Sequence, residues 1–405
     1  MNKFTMKNLI ITLLVSLGLS VSTAIAGGHK YTIDSSNYNQ YTDKLSPGQL
    51  TMFSAYPDTY KMHVYDTGAD CEVPPAVKSI SQANGTMIND NEGLELPNVG
   101  QIPFPNPTEA QHFIWNMRLN SSVVSSVYRV ATSANVQADG SIIVGQQETN
   151  IVFPRNPNAV SQYADKNIYA MFMQKNLGPP RSAGTTTLVH DFIDSYMQPR
   201  KAWQYNPATR RVRRAPDITY DTVLLAGGGI VVVDQYGGFN GAQDKYDWTY
   251  EGKQTMVVPV NNNDLADNAL ETTHSQFHLN PDFVRYEERD VHVVHAQLKP
   301  GQRHLYASRT FYIMDDDFYN LSIMDAYDEN GDMLRHQFNT LMTGIGGMAD
   351  NECGIQGEFT FDFATRTYTG NNMLGDGISN VSTVYNGEEK PASFFTPDGL
   401  RRYAR

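Results

Sequence analysis

The feature that most constrains this chain is an unbroken succession of strand-length segments running from about residue 123 to residue 369. Residues 123–136 and 141–153 flank Asp139-Gly140, a hairpin signal, because glycine readily takes the positive φ that tight turns demand. Further strands are expected over 169–174, 186–195, 201–205, 211–214, 253–260, 285–298, 305–314, 321–327 and 333–341, with at least one more over 358–369. Tyr205-Asn206-Pro207-Ala208-Thr209 and Asp328-Glu329-Asn330-Gly331 mark turns between neighbours. Strands in long succession, joined by tight turns and with few helices, predict a large antiparallel sheet. Such a sheet is usually apolar on one side. The expected class is therefore α+β and β-rich: a large antiparallel sheet that, with a helix laid on it, makes a curved half-barrel.

Upstream the pattern differs. Residues 27–70 are polar and Tyr-rich with little periodicity, and read as a surface-wrapping segment. Val73-Pro74-Pro75 opens a short helix with Val77, Ile80 and Ala83 on one face and Asn84-Gly85 as its stop. A second helix follows Pro103-Phe104-Pro105-Asn106-Pro107. There Asn106 is suited to N-cap, Pro107 to the first helical position and Glu109 to a capping box. Ala110, Phe113, Ile114 and Met117 form its apolar stripe, and Trp115 lies off it, facing either a second surface or a ligand. The expected organisation is a signal peptide over 1–26, an N-terminal extended and helical segment over 27–121, a β half-barrel over 122–385 and a C-terminal tail over 386–405.

The signal peptide follows from three features. Lys3 and Lys7 precede an uncharged apolar run over residues 9–21, and Ala24-Ile25-Ala26 supplies the small residues that signal peptidase accepts. The run is too short, and too interrupted by Ser16, Gly18 and Ser20, for a transmembrane helix. No Cys follows it to carry a lipid. Cleavage after Ala26 leaves 379 residues (405 less 26) and moves the formal charge from −12 to −14 by removing two lysines. That acidity disfavours nucleic acid or anionic membrane as a main partner. Export also places Cys71 and Cys353 in an oxidising compartment, where a sparse even pair reads as one disulfide.

Catalytic signatures are mostly absent: there is no G-x-S-x-G elbow, P-loop, C-x-x-C or H-E-x-x-H. His274 and His278 have metal-compatible helical spacing but run into Asn280-Pro281 and lack a third ligand. His292 and His295, at odd spacing in a strand, face opposite sides. Counting from Asp328, the twelfth position of a calcium loop is Asn339 rather than Glu. Gly227-Gly228-Gly229 has no nucleotide-loop register and reads as a turn. Neither a metal nor a cofactor is expected, nor catalysis. An enzyme would instead need His278, Asp244 and Asp247 gathered in one deep pocket.

The most distinctive local feature is the hairpin over 200–214, which carries Arg200, Lys201, Arg210, Arg211, Arg213 and Arg214 in an acidic protein. Trp203 and Tyr205 fall on one face of its first strand. Trp203-Gln204-Tyr205-x-Pro207 followed by Arg211-Val212-Arg213-Arg214 resembles an element of outer-membrane lipoprotein-sorting proteins. More closely, the chain resembles the bacterial envelope family of domain of unknown function thirteen-twenty-nine. The blocks are Ile102-Pro103-Phe104-Pro105 with Trp115-Asn116, then Phe239-Asn240-Gly241 with Asp244, Tyr246, Asp247 and Trp248. His278-Leu279-Asn280-Pro281, Arg285-Tyr286-Glu287, Arg303-His304-x-Tyr306, Arg309-Thr310-Phe311-Tyr312-Ile313 and Phe395-Thr396-Pro397 follow in order. Asp315-Asp316-Asp317-Phe318 departs from the family's acidic turn, which is commonly followed by Ser-Trp.

The resemblance implies a lipoprotein-carrier-like fold, an incomplete antiparallel barrel of curved sheet wrapped around helices with an apolar cavity, together with a Gram-negative periplasm and association with exporters of the resistance-nodulation-division type. It implies no established activity. The expected function is a periplasmic carrier of an apolar or amphipathic, lipid-like ligand. Phe113, Trp115, Met117, Trp203, Tyr205, Trp248, Phe311 and Ile313 are expected to line its site, with the prolines at 103–107 as a hinge boundary. The alternative is a sensor or accessory subunit that docks through the 200–214 hairpin.

Overall fold

The computed structural model describes residues 28–68, 70–73, 102–120, 124–156, 167–195, 197–215, 220–224, 228–343, 353–373 and 382–405, with a few positions between 75 and 95 and at 159. The signal peptide and most of the helix expected after Val73 lie outside the described residues. In chain order the elements are β1 (His29–Ile33), α1 (Pro47–Ala55), β2 (Met62–Tyr65), a small pair β3 (Met87–Ile88) and β4 (Leu94–Glu95), then α2 (Ala110–Leu119). Next come β5 (Ser126–Val136), β6 (Ile142–Val152), β7 (Ile168–Gly178), β8 (Thr186–Phe192), β9 (Lys201–Asn206) and β10 (Arg211–Arg214). A second small pair follows, β11 (Val223–Leu224) and β12 (Val231–Val232), before β13 (Tyr246–Pro259) and β14 (Arg285–Leu298). The chain closes with β15 (Ser308–Met314), β16 (Leu321–Tyr327), β17 (Met333–Thr343), β18 (Cys353–Asp362), β19 (Thr367–Met373), β20 (Ser382–Tyr385) and α3 (Pro397–Ala404).

Sixteen of these strands form one unclosed sheet, ordered β1-β2-β14-β15-β16-β17-β18-β19-β5-β6-β7-β8-β9-β10. β13 lies on the other side of β14, and β20 beside β5. The pairs are antiparallel except β2 with β14, so the sheet is mixed. The hairpin at Asp139-Gly140 forms as expected. Gln137 N–H donates to Ser141 O at 2.8 Å, and Gly140 takes φ +86°. The segment expected over 358–369 is two strands. Asp362 Oδ1 accepts from the Ala364 and Thr365 N–H groups, which turns the chain before Arg366 enters the left-handed region.

Residues 28–65 are built into the sheet rather than wrapped on its surface. β1 and β2 extend it, and α1 starts with a capping box of Ser46 and Gln49 with Pro47 at its first position. Ile33, Met52, Phe53, Met62 and Val64 join the largest core cluster. These elements are five, nine and four residues long, too short to show periodicity. At the other end the expected tail is a helix. Thr396 caps α3, whose Leu400 and Ala404 join Phe395 against Met171, Met173, Leu188 and Tyr205. Cys71 and Cys353 are disulfide-bonded, with Cα atoms 5.4 Å apart, which fastens the N-terminal segment to the start of β18. Among the described residues no helix is long and apolar enough to cross a membrane.

Candidate ligand-binding site

α2 begins at Ala110, four residues beyond the expected cap. Asn116 explains the delay. Its amide accepts from Phe104 N–H at 2.9 Å and donates to Phe104 O at 2.7 Å, so the approach must double back beside the helix. Phe104 stacks on His112 with ring centroids 4.1 Å apart, and His112 Nδ1 accepts from Glu109 N–H at 3.3 Å. The chain over 105–109 therefore bends instead of coiling, and Glu109 rather than Asn106 is the N-cap.

One face of α2 lies against the sheet and forms a sealed apolar seam. Ala110, Phe113, Ile114 and Met117 pack with Val294, Phe311, Ile313, Leu321 and Met324, and Trp248 borders the cluster half-buried. Phe113 stacks on Tyr250 at 4.6 Å. Five of the eight residues expected to line a site meet here: Phe113, Met117, Trp248, Phe311 and Ile313. The other three do not. Trp115 meets a second surface, a separate cluster with Leu94, Phe104, Leu119 and Ile193. Trp203 and Tyr205 share a face, as the strand period requires, but that face packs under α3.

Beside the seam lies a buried ionic constellation. Arg309, fully buried, donates to Asp234 Oδ1 and Oδ2 at 3.1 and 2.9 Å, and His304 Nε2 stands 3.1 Å from Asp234 Oδ2. His304 Nδ1 accepts from Tyr306 N–H at 2.9 Å, which puts the imidazole proton on the nitrogen facing Asp234. Burial pushes the Asp234 carboxyl up, but the Arg309 charge and His304 outweigh it and hold it at about 2. The guanidinium is boxed by Phe239 and Tyr246, each 4.8 Å away. The 3-10 turn Val233–Gln235 is thereby pinned to β15. A buried pair of this kind locates a segment more than it stabilises it.

The family described as protein of unknown function (DUF1329) matches residues 32–401. The chain belongs to that family. An uncharacterized protein of Pseudomonas aeruginosa is 38% identical over 310 residues, covering 75% of this chain and 68% of the relative. A crystallised DUF1329 family protein from Desulfovibrio piger is 12% identical, with a TM-score of 0.48, covering 73% of this chain and all of that one. A LolA superfamily protein from Nitrosomonas europaea is 10% identical, with a TM-score of 0.41, covering 72% of this chain and all of that one.

This DUF1329 member divides its hairpin cations between two environments. Arg200 turns inward, because the buried Asp191 needs a counter-charge. Its Nε and Nη2 take both Asp191 oxygens, Nη2 at 3.1 Å, and Nη2 also donates to Asn240 O. Lys201 lies half-buried over the Phe192 ring at 4.8 Å. Arg210, Arg211, Arg213 and Arg214 face solvent on the edge strand β10 and its turn.

His278, Asp244 and Asp247 are not brought together. His278 is buried beside Thr59 and Tyr60, while Asp247 is exposed on β13. His292 and His295 do take opposite sides: His292 bonds Tyr250 and Asp315, and His295 bonds Thr310. Among the described residues no three His, Cys, Asp or Glu side chains are grouped to hold a metal ion. The Arg309–Asp234–His304 constellation was not read from the sequence as a unit. His304 and Arg309 stand in resemblance blocks, but nothing local links them to an aspartate some 75 residues upstream.

Proposed function

We propose that this DUF1329 protein is a periplasmic carrier that binds an apolar or amphipathic, lipid-like ligand and works beside an envelope transport system, with a resistance-nodulation-division type exporter as partner. One observation supports the reading most. α2 covers an apolar strip of an open sheet through side-chain packing, with its approach segment folded back and bonded to the helix through Asn116. Displacing α2 would expose Phe311, Ile313 and Met324 to a ligand, and each square ångström removed from water contributes roughly 25 cal/mol. The seam is closed by its own side chains, so uptake requires α2 to move, and the prolines at 103–107 are the natural hinge. Hydrogen exchange tests this. Saturation with the apolar probe 1-N-phenylnaphthylamine should alter exchange of the amides over 110–119, and unchanged exchange there sinks the proposal.

A second reading rests on the four outward arginines of β10 and its turn. They form a cationic edge suited to docking an acidic partner, which would make the protein a sensor or accessory subunit. Arg211→Glu with Arg213→Glu should then abolish partner pull-down from envelope extracts while leaving stability within about 0.5 kcal/mol. Retained pull-down counts against docking through this edge.

A further inference from the structure

α2 carries a row of hydrogen-bond donors for which the described residues provide no acceptors. Gln111, Trp115 and Arg118 are spaced by four and then three residues and so share one side of the helix. Gln111 Nε2, Trp115 Nε1, and Arg118 Nε and Nη1 are buried without a hydrogen-bond partner among the described residues. Trp115 is 1% exposed and Arg118 6%. The Arg118 guanidinium lies 4.9 Å over the Trp115 ring and 5.8 Å from the Tyr169 ring, and its Nη2 donates to Phe192 O at 3.1 Å. Buried donors left unmet are costly, and cationic ones most of all.

Arg118 shares its nearest carboxylate with a second cation. Arg118 and Arg200 both feel Asp191, but Arg200 occupies both of its oxygens. Lys245 adds a third cation near Tyr220, 5.4 Å from a ring that Arg200 also faces at 5.9 Å. Burial outweighs Asp191 at Arg118 and lowers its pKa. At Arg200 burial also opposes the charge, but Asp191 prevails and the pKa rises. Among the described residues Arg118 therefore has no carboxylate to itself, and it stands at the edge of the cluster formed by Leu94, Phe104, Leu119 and Ile193.

We propose that this side of α2 is the head-group site for an anionic amphiphile. Carboxylate or phosphate oxygens would accept from Arg118 and from the Trp115 indole N–H, while the apolar chain occupies the strip of Phe311, Ile313 and Met324 that movement of α2 exposes. The proposal rests on the carrier reading and names its ligand class. Charge-assisted hydrogen bonds to guanidinium are the strong ones, and they would satisfy the donors that the fold leaves open.

Calorimetric titration of the full exported chain, cleared of bound lipid, tests this with oleate, oleoyl lysophosphatidate, oleyl alcohol and inorganic phosphate. The two anionic amphiphiles should bind at least about tenfold more tightly than the alcohol. Arg118→Met should erase that preference and keep alcohol binding. Trp115→Phe, which keeps an aromatic ring and the cation, should weaken both anionic amphiphiles by about threefold and leave oleyl alcohol unchanged. Near-UV circular dichroism establishes that each variant is folded. Equal binding of oleate and oleyl alcohol by the wild type overturns the head-group site, as does a preference that survives Arg118→Met. If only phosphate binds, and only with Arg118 present, the anion site stands and the carrier reading falls. If no probe binds, water alone meets these donors and both proposals fall.

Discussion

His274 shows how one buried side chain sets a pH response. It stacks on Tyr368 with ring centroids 6.0 Å apart, and Thr273 Oγ1 lies 2.9 Å from its Nδ1. Burial lowers its pKa from 6.5 to about 4. The folded state therefore resists a proton that the unfolded chain accepts. Stability is fully present above about pH 6.5, declines as the pH falls toward 4, and stops declining from this source below that. The span corresponds to roughly 3 kcal/mol. His274→Leu should flatten chemical-denaturation midpoints between pH 6.5 and 4, and an unchanged slope would contradict this. Asp234 acts lower: held at about 2, it contributes above its ordinary range near 3.8 and is lost as the pH falls through 2. Neither effect is legible in the sequence, where His274 shows only metal-compatible spacing to His278 without a third ligand. Burial decides such a role, and for His274 it comes from distant segments that bring Phe359 and Tyr368 against the ring.

At the scale of elements the sequence was more informative where apolar periodicity and turn chemistry agreed. The strands Arg285–Leu298 and Leu321–Tyr327 match their expected bounds, since apolar and β-branched residues there run up to recognisable turns. α2 kept its apolar stripe but lost its expected start, because the tertiary clamp of Asn116 on Phe104 overrode a local capping signal. Likewise, the ligand-lining set split between α2's two sides and the underside of α3. Strand and helix faces were readable, but which face meets which was not. α3 was missed because eight residues with three charges look like a tail until Phe395 and Leu400 find β8 and β9. Leu400, fully buried, seals that cluster. Leu400→Ala should cost about 2–4 kcal/mol in denaturant titration, and a cost below about 0.5 kcal/mol would mean that α3 is not docked.

For the whole molecule, the inference from strand succession to one large sheet held, and the half-barrel proved open and mixed. The sequence understated how far it extends: β1 and β2 carry it to residue 29, beyond the expected boundary near 122. The disulfide spans 282 residues and links that N-terminal part to the sheet's middle. The loop-entropy relation puts its contribution at about 5 kcal/mol, so Cys71→Ser with Cys353→Ser should lower the thermal midpoint by several degrees. A midpoint unchanged in the double variant would show that the N-terminal segment docks without it. The functional claim is that this molecule carries a lipid-like passenger. Native mass spectrometry of the chain purified from the periplasm, followed by lipid extraction, measures that directly. Near-stoichiometric copurification of an amphiphile, as a mass shift lost on extraction, is the predicted result. A spectrum showing only the bare chain, with no lipid in the extract, would contradict it.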